Sequence, residues 1–375
     1  LPLSPDHQQI SELARDFAER ELRPHAEEWD RDQAFPRAVI EQLGELGFMG
    51  MMIPEEWDGL GLDLTSYLVA LEQIAWGDAS VAVAMSVHNS LPMKMILSHG
   101  SADQKERWLK PMARGELLGA FALSEADAGS DAAALSAQAT RADGGWVLNG
   151  TKAWITNGGF GDVVIAMCRT DAPDDRRGTR GIGAFILTTD MDGYAVGKKE
   201  DKMGQRASET VGIAFDDLFV PDEQVLGDPT QGFGYALEGL NSGRLGIAAL
   251  AVGISQAALD HAVAYADQRV QFGKPIREFQ GMQFKLADMA MRTHAARALL
   301  REAAGADSRM QSSMAKLFAS ETAMFVTTEA VQVFGGYGYM KEYPVERLFR
   351  DAKVTEIYEG TSEIQRVVIA RELYR

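Results

Sequence analysis

The feature that most restricts the fold is the way hydrophobic periodicity changes along the chain. It is helical over the first third, strand-like in the middle, and helical again to the end. Ser4 and Pro5 read as an N-cap followed by a proline at the first helical position. Ile10, Leu13, Phe17 and Leu22 then recur near helical spacing. Val39, Ile40, Leu43 and Leu46 repeat the pattern, and Gly47 can end that helix. Ala79 to Leu97 is almost uncharged, which predicts a helix buried on most sides. From Leu118 the pattern shortens to the runs Leu118–Leu123, Trp146–Leu148, Val163–Met167, Ala184–Leu187 and Val211–Phe215. Asp143-Gly144-Gly145, Asn149-Gly150 and Asn157-Gly158-Gly159 punctuate them, so antiparallel strands with tight turns are expected, in a small barrel or a sandwich. Asp171 to Gly181, with Pro173 and Gly178, reads as a charged, solvated loop.

Beyond Gly232, Leu240, Ile247, Ala251, Ile254, Ala258 and Ala262 form an apolar stripe rich in small residues. Phe284–Ala304, Ser308–Phe334 and Ser362–Tyr374 are further helical segments, and short links between long helices predict a bundle. The expected class is therefore α+β and multidomain. The expected domains are an all-α domain over 1–117, a strand domain over 118–228 and a helical domain over 229–375.

Composition then removes whole classes of function. There are 37 Lys and Arg against 54 Asp and Glu, a net charge of −17, so a general nucleic-acid or anionic-membrane surface is not expected. Cys168 is the only cysteine, which rules out an intramolecular disulfide and a CxxC motif and suits a reducing compartment. Leu1–Ile10 lacks the basic-then-apolar pattern of a signal peptide. No apolar run approaches the ~20 residues that cross a bilayer. The G-x-G-x-x-G, Walker, H-E-x-x-H and G-x-S-x-G patterns are missing, so no metal site is expected. His88 and His99 read as structural.

Five segments carry chemistry. In Phe121–Asp131 an apolar strand runs into a loop of small and hydroxyl-bearing residues that suits a polar heterocycle or phosphate oxygens, or is a plain loop. Trp154-Ile155-Thr156 offers an indole to a flat ring and a hydroxyl to its edge, or places a tryptophan in the core. Arg269–Pro275 interrupts the helices with two cations: Arg269 can grip a diphosphate, or the loop is merely solvated. Gln332–Gly336 ends a helix with two glycines, which admit a ligand or cap the helix. In Ile357–Gln365, Ser362-x-x-Gln365 has the form of a capping box, which puts Glu359 just ahead of a helix N-terminus beside the small Gly360. The helix end favours the anion and burial opposes it, so the carboxylate is either a poised base or an exposed loop acid.

Taken together, these segments resemble the acyl-CoA dehydrogenase family in order and spacing over nearly the whole chain, Ile357-Tyr358-Glu359-Gly360-Thr361 most specifically. The resemblance implies an N-terminal helical domain, a central antiparallel β-barrel and a C-terminal four-helix bundle. It also implies a homotetramer, a dimer of dimers that shares each FAD between neighbouring subunits. By position, Phe121, Leu123, Ser124, Gly129, Ser130, Trp154, Ile155 and Thr156 would hold the flavin. Arg269, Phe272, Gln280, Gln332, Gly335 and Gly336 would reach the adenosine diphosphate across the dimer, and Thr361 and Glu363 would add a further FAD contact. Ser130, Asn241, Arg244, Tyr358 and Gly360 would meet the acyl-CoA.

The implied reaction has Glu359 take the Cα proton as a hydride leaves Cβ for flavin N5. The enolate-like thioester oxygen is met by the base's own N–H and a ribityl hydroxyl. A trans-2-enoyl-CoA results, and the electrons pass to an electron-transfer flavoprotein, in fatty-acid or branched-chain amino-acid catabolism. One branch of the family carries its base on the long helix. The matching residue here is Gly243, which places the chain nearer the short- and medium-chain members. The alternatives are an acyl-CoA oxidase using O2 and a non-enzymatic binding protein on the same fold. The expected location is cytoplasmic, or the mitochondrial matrix in a eukaryote.

Overall fold

A computed structural model describes residues 3–170, 178–306 and 308–374, so residues 171–177 of the expected charged loop lie outside the described residues. The chain opens with α1 (Pro5–Phe17), α2 (Ala26–Asp32), α3 (Arg37–Glu45), α4 (Leu64–Gly77), α5 (Ala79–Ser90) and α6 (Pro92–His99), then the short α7 (Ala102–Gln104) and α8 (Lys110–Ala113). Ser4 caps α1 as expected, its Oγ accepting the His7 N–H at 3.1 Å. Leu13 faces outward; the buried side of this segment is Ala14, Phe17, Ala18 and Leu22. Asp63 and Asp78 cap α4 and α5 through the Ser66 and Val81 amides at 2.8 and 2.9 Å. The single helix expected over Ala79–Leu97 is two, because Pro92 lacks the N–H that would continue α5 and instead starts α6. Every residue of α5 is buried. It packs on α4 and on the long C-terminal helix, and it touches the first strand.

The strands are β1 (Gly119–Ala122), β2 (Gln138–Ala142), β3 (Gly145–Thr156), β4 (Val163–Arg169), β5 (Ile182–Thr188), β6 (Tyr194–Lys199) and β7 (Thr210–Pro221). They form one sheet in the order β1-β4-β2-β3-β7-β6, with β5 on the other edge of β4. Most pairs are antiparallel, as expected. The exceptions are β1 with β4, and β2 with β4 at Gln138–Arg169, which run parallel. Parallel neighbours need a crossover, and residues 123–162, which include the β2–β3 hairpin, supply it between β1 and β4.

Alternation along β4 divides the interior. Val164, Ala166 and Cys168 join Leu148, Phe185, Ile213 and Phe215 in a core enclosed by the curled sheet. Val163, Ile165 and Met167 point the other way, against Met93, Trp108 and Phe233 of the helices. Buried on both faces, β4 is the continuous apolar run the sequence shows.

The C-terminal part holds α9 (Gly232–Gln268), the hairpin β8 (Val270–Gln271) and β9 (Lys274–Pro275), α10 (Gln280–Ala304), α11 (Arg309–Phe334), α12 (Pro344–Lys353) and α13 (Ser362–Leu373). α11 packs on α9, α10, α12 and α13. α9 reaches across to α4 and α5. A Cβ on its Gly253 would lie 2.3 Å from the Glu72 carbonyl oxygen, so only glycine allows that approach. The expectation that no stretch is apolar enough to cross a bilayer needs correcting for α9. It is long and apolar enough, yet most of that stretch is buried inside the protein, as the central helix of a bundle should be.

Candidate active site

Glu359 sits in the turn between α12 and α13. Its backbone is left-handed, with φ of 52°, and Gly360 follows at 91°. A non-glycine residue in that region costs about 1–2 kcal/mol, so neighbouring contacts must hold it. The Gln365 side-chain amide donates to the carbonyls of Glu359 at 3.3 Å and Gly360 at 2.9 Å. The Lys316 ammonium, from α11, donates to the same Gly360 carbonyl at 2.8 Å. The expected Ser362–Gln365 capping box is not formed. Thr361 is the N-cap, its Oγ1 accepting the Ile364 N–H at 3.3 Å, and Gln365 is spent on the turn instead.

This turn points the carboxylate at α9. A Cβ on Gly243 would fall 1.9 Å from Glu359 Oε2, so the acid occupies the space a side chain there would need. Both carboxylate oxygens are buried and have no hydrogen-bond partner among the described residues. Burial pushes the carboxyl up to about 7, against the pull of Lys316 and Arg244. Such a group takes up a proton near neutral pH. Arg244, buried on α9, donates to Asn241 Oδ1 at 2.9 Å and faces Ser313 Oγ at 3.4 Å. Asn241 is thus engaged in orienting the arginine.

Two adjoining cavities of about 510 and 330 Å³ meet at this turn. Both are lined by Ser124, Gly129 and Ser130 from the loop after β1, by Trp154 and Thr156 of β3, and by Tyr358, Glu359 and Gly360. Thr361 lines the larger; Phe121, Leu123, Ile155 and Arg244 line the smaller, with the apolar wall of Val87, Leu91 and Leu240.

Local structure explains the sheet's contribution. The loop after β1 is fixed by a buried ion pair, Lys152 Nζ to Glu125 Oε1 at 2.7 Å. Glu125 also accepts the Ser136 N–H and hydroxyl at 2.7 Å and the Ala137 N–H at 3.0 Å. These partners hold its carboxyl below the usual range in spite of burial. Trp154 lies where the β3–β7 register shifts between Lys152 and Ile155, with a φ of 59°. The irregularity turns its indole outward, 56% exposed at the cavity, while Ile155 faces the sheet core. Trp154 is therefore not a core tryptophan.

A planar heterocycle fits this arrangement. Trp154 presents a ring, Ser124, Ser130 and Thr156 present hydroxyls, and no atom lies within 4 Å of where a Cβ on Gly129 would stand.

The remaining expected residues lie elsewhere. Arg269, Phe272, Gly335 and Gly336 line a separate cavity of about 780 Å³ beside the β8–β9 turn. Gln280 and Gln332 are exposed outside that lining, and Glu363 lies exposed in the first turn of α13, outside the cavities at Glu359. Two buried groups went unnoticed in the sequence. Gln205 donates through its backbone N–H to Asp351 Oδ1 and through its side chain to the Tyr358 hydroxyl at 3.1 Å, bracing the turn from the sheet side. Lys316 stands amid the small buried residues Ser312, Ser313, Ala319 and Ser320. A lone lysine among small residues at helical spacing was the available signal.

The N-terminal, middle and C-terminal domain families of acyl-CoA dehydrogenases match residues 4–116, 120–218 and 230–374 in turn. The chain belongs to the acyl-CoA dehydrogenase family. The mitochondrial short-chain specific acyl-CoA dehydrogenase of Mus musculus is 48% identical over 380 residues, spanning 100% of this chain and 92% of the mouse protein. The butyryl-CoA dehydrogenase of Megasphaera elsdenii superposes with a TM-score of 0.97 at 45% identity, covering 100% of both chains. A chain in a structure of the electron transferring flavoprotein of Acidaminococcus fermentans has a TM-score of 0.97 at 44% identity, covering 100% of this chain and 99% of that one. In this chain the turn at Glu359 and the glycine at 243 fit together, an acid on one element and the space for it on another.

Proposed function

We infer that this acyl-CoA dehydrogenase removes hydrogen from Cα and Cβ of a short acyl-CoA to give the trans-2-enoyl-CoA, with Glu359 as the base. The observation that carries the reading is a carboxylate with both oxygens buried and unpartnered, at the junction of two cavities and beside Arg244 and Lys316. A carboxylate in water spends its lone pairs on solvent. One held dry and titrating near 7 accepts a proton from a weakly acidic Cα–H more readily.

The apolar wall of Val87, Leu91 and Leu240 receives the acyl chain and excludes water from the reacting carbons. Gly360 leaves room for the thioester beside the base, and the Tyr358 ring closes that side, held through Gln205. The resemblance assigns the Glu359 N–H to the oxygen on which enolate character develops, where a donor lowers the barrier. Bound FAD supplies a hydride acceptor there and a relay for two electrons to an electron-transfer flavoprotein. Ser124, Gly129, Ser130, Trp154, Ile155 and Thr156, with Phe121 and Leu123 behind them, would hold its ring. Arg269, Phe272, Gly335 and Gly336, with Gln280 and Gln332 nearby, would hold the adenosine diphosphate of a neighbour's cofactor.

The separation of those two cavities supports a homotetramer built from dimers that share FAD. So do the exposed Phe272, Phe284, Met291 and Tyr339 of the C-terminal part. The short chain length follows the mouse and Megasphaera relatives, and bacterial cytoplasm or mitochondrial matrix is the location that fits them.

The test is an anaerobic titration with saturated acyl-CoAs of increasing length, followed by flavin bleaching, on the wild type and on Glu359→Gln. Wild-type flavin should bleach best with a short chain. Its turnover should fall as pH drops through about 7, where the base is protonated. Glu359→Gln should keep FAD and lose at least about 100-fold in rate. Turnover close to wild type in that variant would remove Glu359 from the mechanism.

A further inference from the structure

Lys316 is buried to 0% exposure in the N-terminal third of α11, among small buried side chains of the same helix. An ammonium so placed is costly to bury unless it is paired and hydrogen-bonded. Its hydrogen bond runs to a neutral carbonyl, that of Gly360, at 2.8 Å. The remaining compensation is the negative charge of Glu359, one residue earlier in the turn, assisted by Glu356 and Glu363 and opposed by Arg244. Burial draws the lysine down to about 8, so it stays charged at neutral pH. From the other side, Glu359 faces the cations Lys316 and Arg244, and its charge is also felt by the phenols of Tyr67 and Tyr358.

The carbonyl that Lys316 holds belongs to the second of two left-handed residues, and the first is the base itself. Gln365 grips the same two carbonyls from α13. Gln365 can fix the turn but brings no charge, whereas Lys316 does both.

We propose that Lys316 is the positioning residue of this base: through the Gly360 carbonyl it holds Glu359 against Gly243, and its charge favours the ionised carboxylate that accepts the substrate proton. The proposal rests on the reading of Glu359 as the base, and the experiment separates the two.

Lys316→Met, Lys316→Gln and Glu359→Gln are compared as FAD-loaded proteins. The measurements are kcat against pH with butyryl-CoA, the isotope effect with α-deuterated butyryl-CoA, and the urea midpoint. Lys316→Met should lower kcat at pH 7 by about 10-fold or more, since small displacements of a reacting group are costly. The acid limb should move up by about one pH unit, the effect of losing a nearby opposite charge. The isotope effect should grow as proton abstraction becomes slower. Lys316→Gln, which keeps a donor without the charge, should recover part of kcat while its limb stays displaced. If Lys316→Met does not fold, the limb in Lys316→Gln decides the question. A lower urea midpoint with kcat and limb unmoved would make Lys316 merely structural and overturn the proposal, leaving Glu359 in place so long as Glu359→Gln is inactive. An active Glu359→Gln would overturn both.

Discussion

Gly243→Ala offers a test in which activity and stability should move in opposite directions. The added Cβ would stand 1.9 Å from Glu359 Oε2, 2.8 Å from its Cδ and 3.2 Å from Oε1. Carbon and oxygen come to ordinary contact near 3.4 Å, so Oε2 must retreat by about 1.5 Å from its place. The atom that yields is the end of a flexible side chain, so the fold should accommodate the methyl. Gly243 is also inside α9, where alanine is favoured over glycine by roughly 0.5–1 kcal/mol. Unfolding by urea should therefore be unchanged or slightly later, and bound flavin should show its normal visible spectrum. Catalysis should suffer, because displacing a reacting group by about 1 Å costs on the order of 100-fold, or about 2.7 kcal/mol of transition-state stabilisation. The assay is anaerobic stopped-flow reduction of the enzyme flavin by butyryl-CoA, which isolates the chemical steps from electron export. A reduction rate within about threefold of wild type would show that the position of Glu359 against α9 is not what catalysis requires. A loss of rate accompanied by loss of flavin or of fold would refute the argument that the side chain alone gives way.

Two further outcomes follow from the site. Lys152→Met leaves the Glu125 carboxylate buried without its cation, and breaking such a pair costs about 3–5 kcal/mol; three remaining donors put the expectation near ~3 kcal/mol, read by urea denaturation, with weaker retention of FAD. Lys152→Met combined with Glu125→Leu should be milder than the single change, and a single variant within about 1 kcal/mol of wild type would show that the pair does not hold the loop. If FAD is shared between subunits, light scattering should give a particle of about four times 40.9 kDa, and Arg269→Ala should lower FAD occupancy while leaving the Glu359 turn intact; a monomer that retains FAD would contradict the shared site.

The sequence showed the elements whose environments are uniform and hid those whose environments are mixed. β4 is buried on both faces and reads as an apolar run, whereas β2 and β6 are mostly exposed and show no apolar period, so neither was visible. The break at Pro92 was in plain sight, but an uncharged stretch suggests burial more strongly than it suggests where one helix ends. At the end of the chain, Thr361 and Ser362 are both good N-caps, and Gln365 three residues after Ser362 made the wrong one look reciprocal. The error came from assigning Gln365 to the helix when it serves the turn. The orientation of Trp154 depends on a register shift between β3 and β7, a property of two strands that neither segment contains alone.

The same distinction applies to the proposed base. The motif around Glu359 names the acid but carries little of what makes it one. Its backbone conformation is held by Lys316 and Gln365, its space is left by Gly243, and its charge is balanced by Arg244 and Lys316, on α9 and α11. Both helices belong to the bundle, and α9 is anchored in turn against α4 and α5. An exposed loop glutamate and a carboxyl raised to about 7 can share a sequence of five residues, because the difference lies in burial, the charges of two nearby cations and the space left by a glycine. The most informative variants are therefore those at Gly243 and Lys316. They leave the motif untouched and change only what surrounds it, so a change in catalysis there reports on the fold's contribution to the acid rather than on the acid itself.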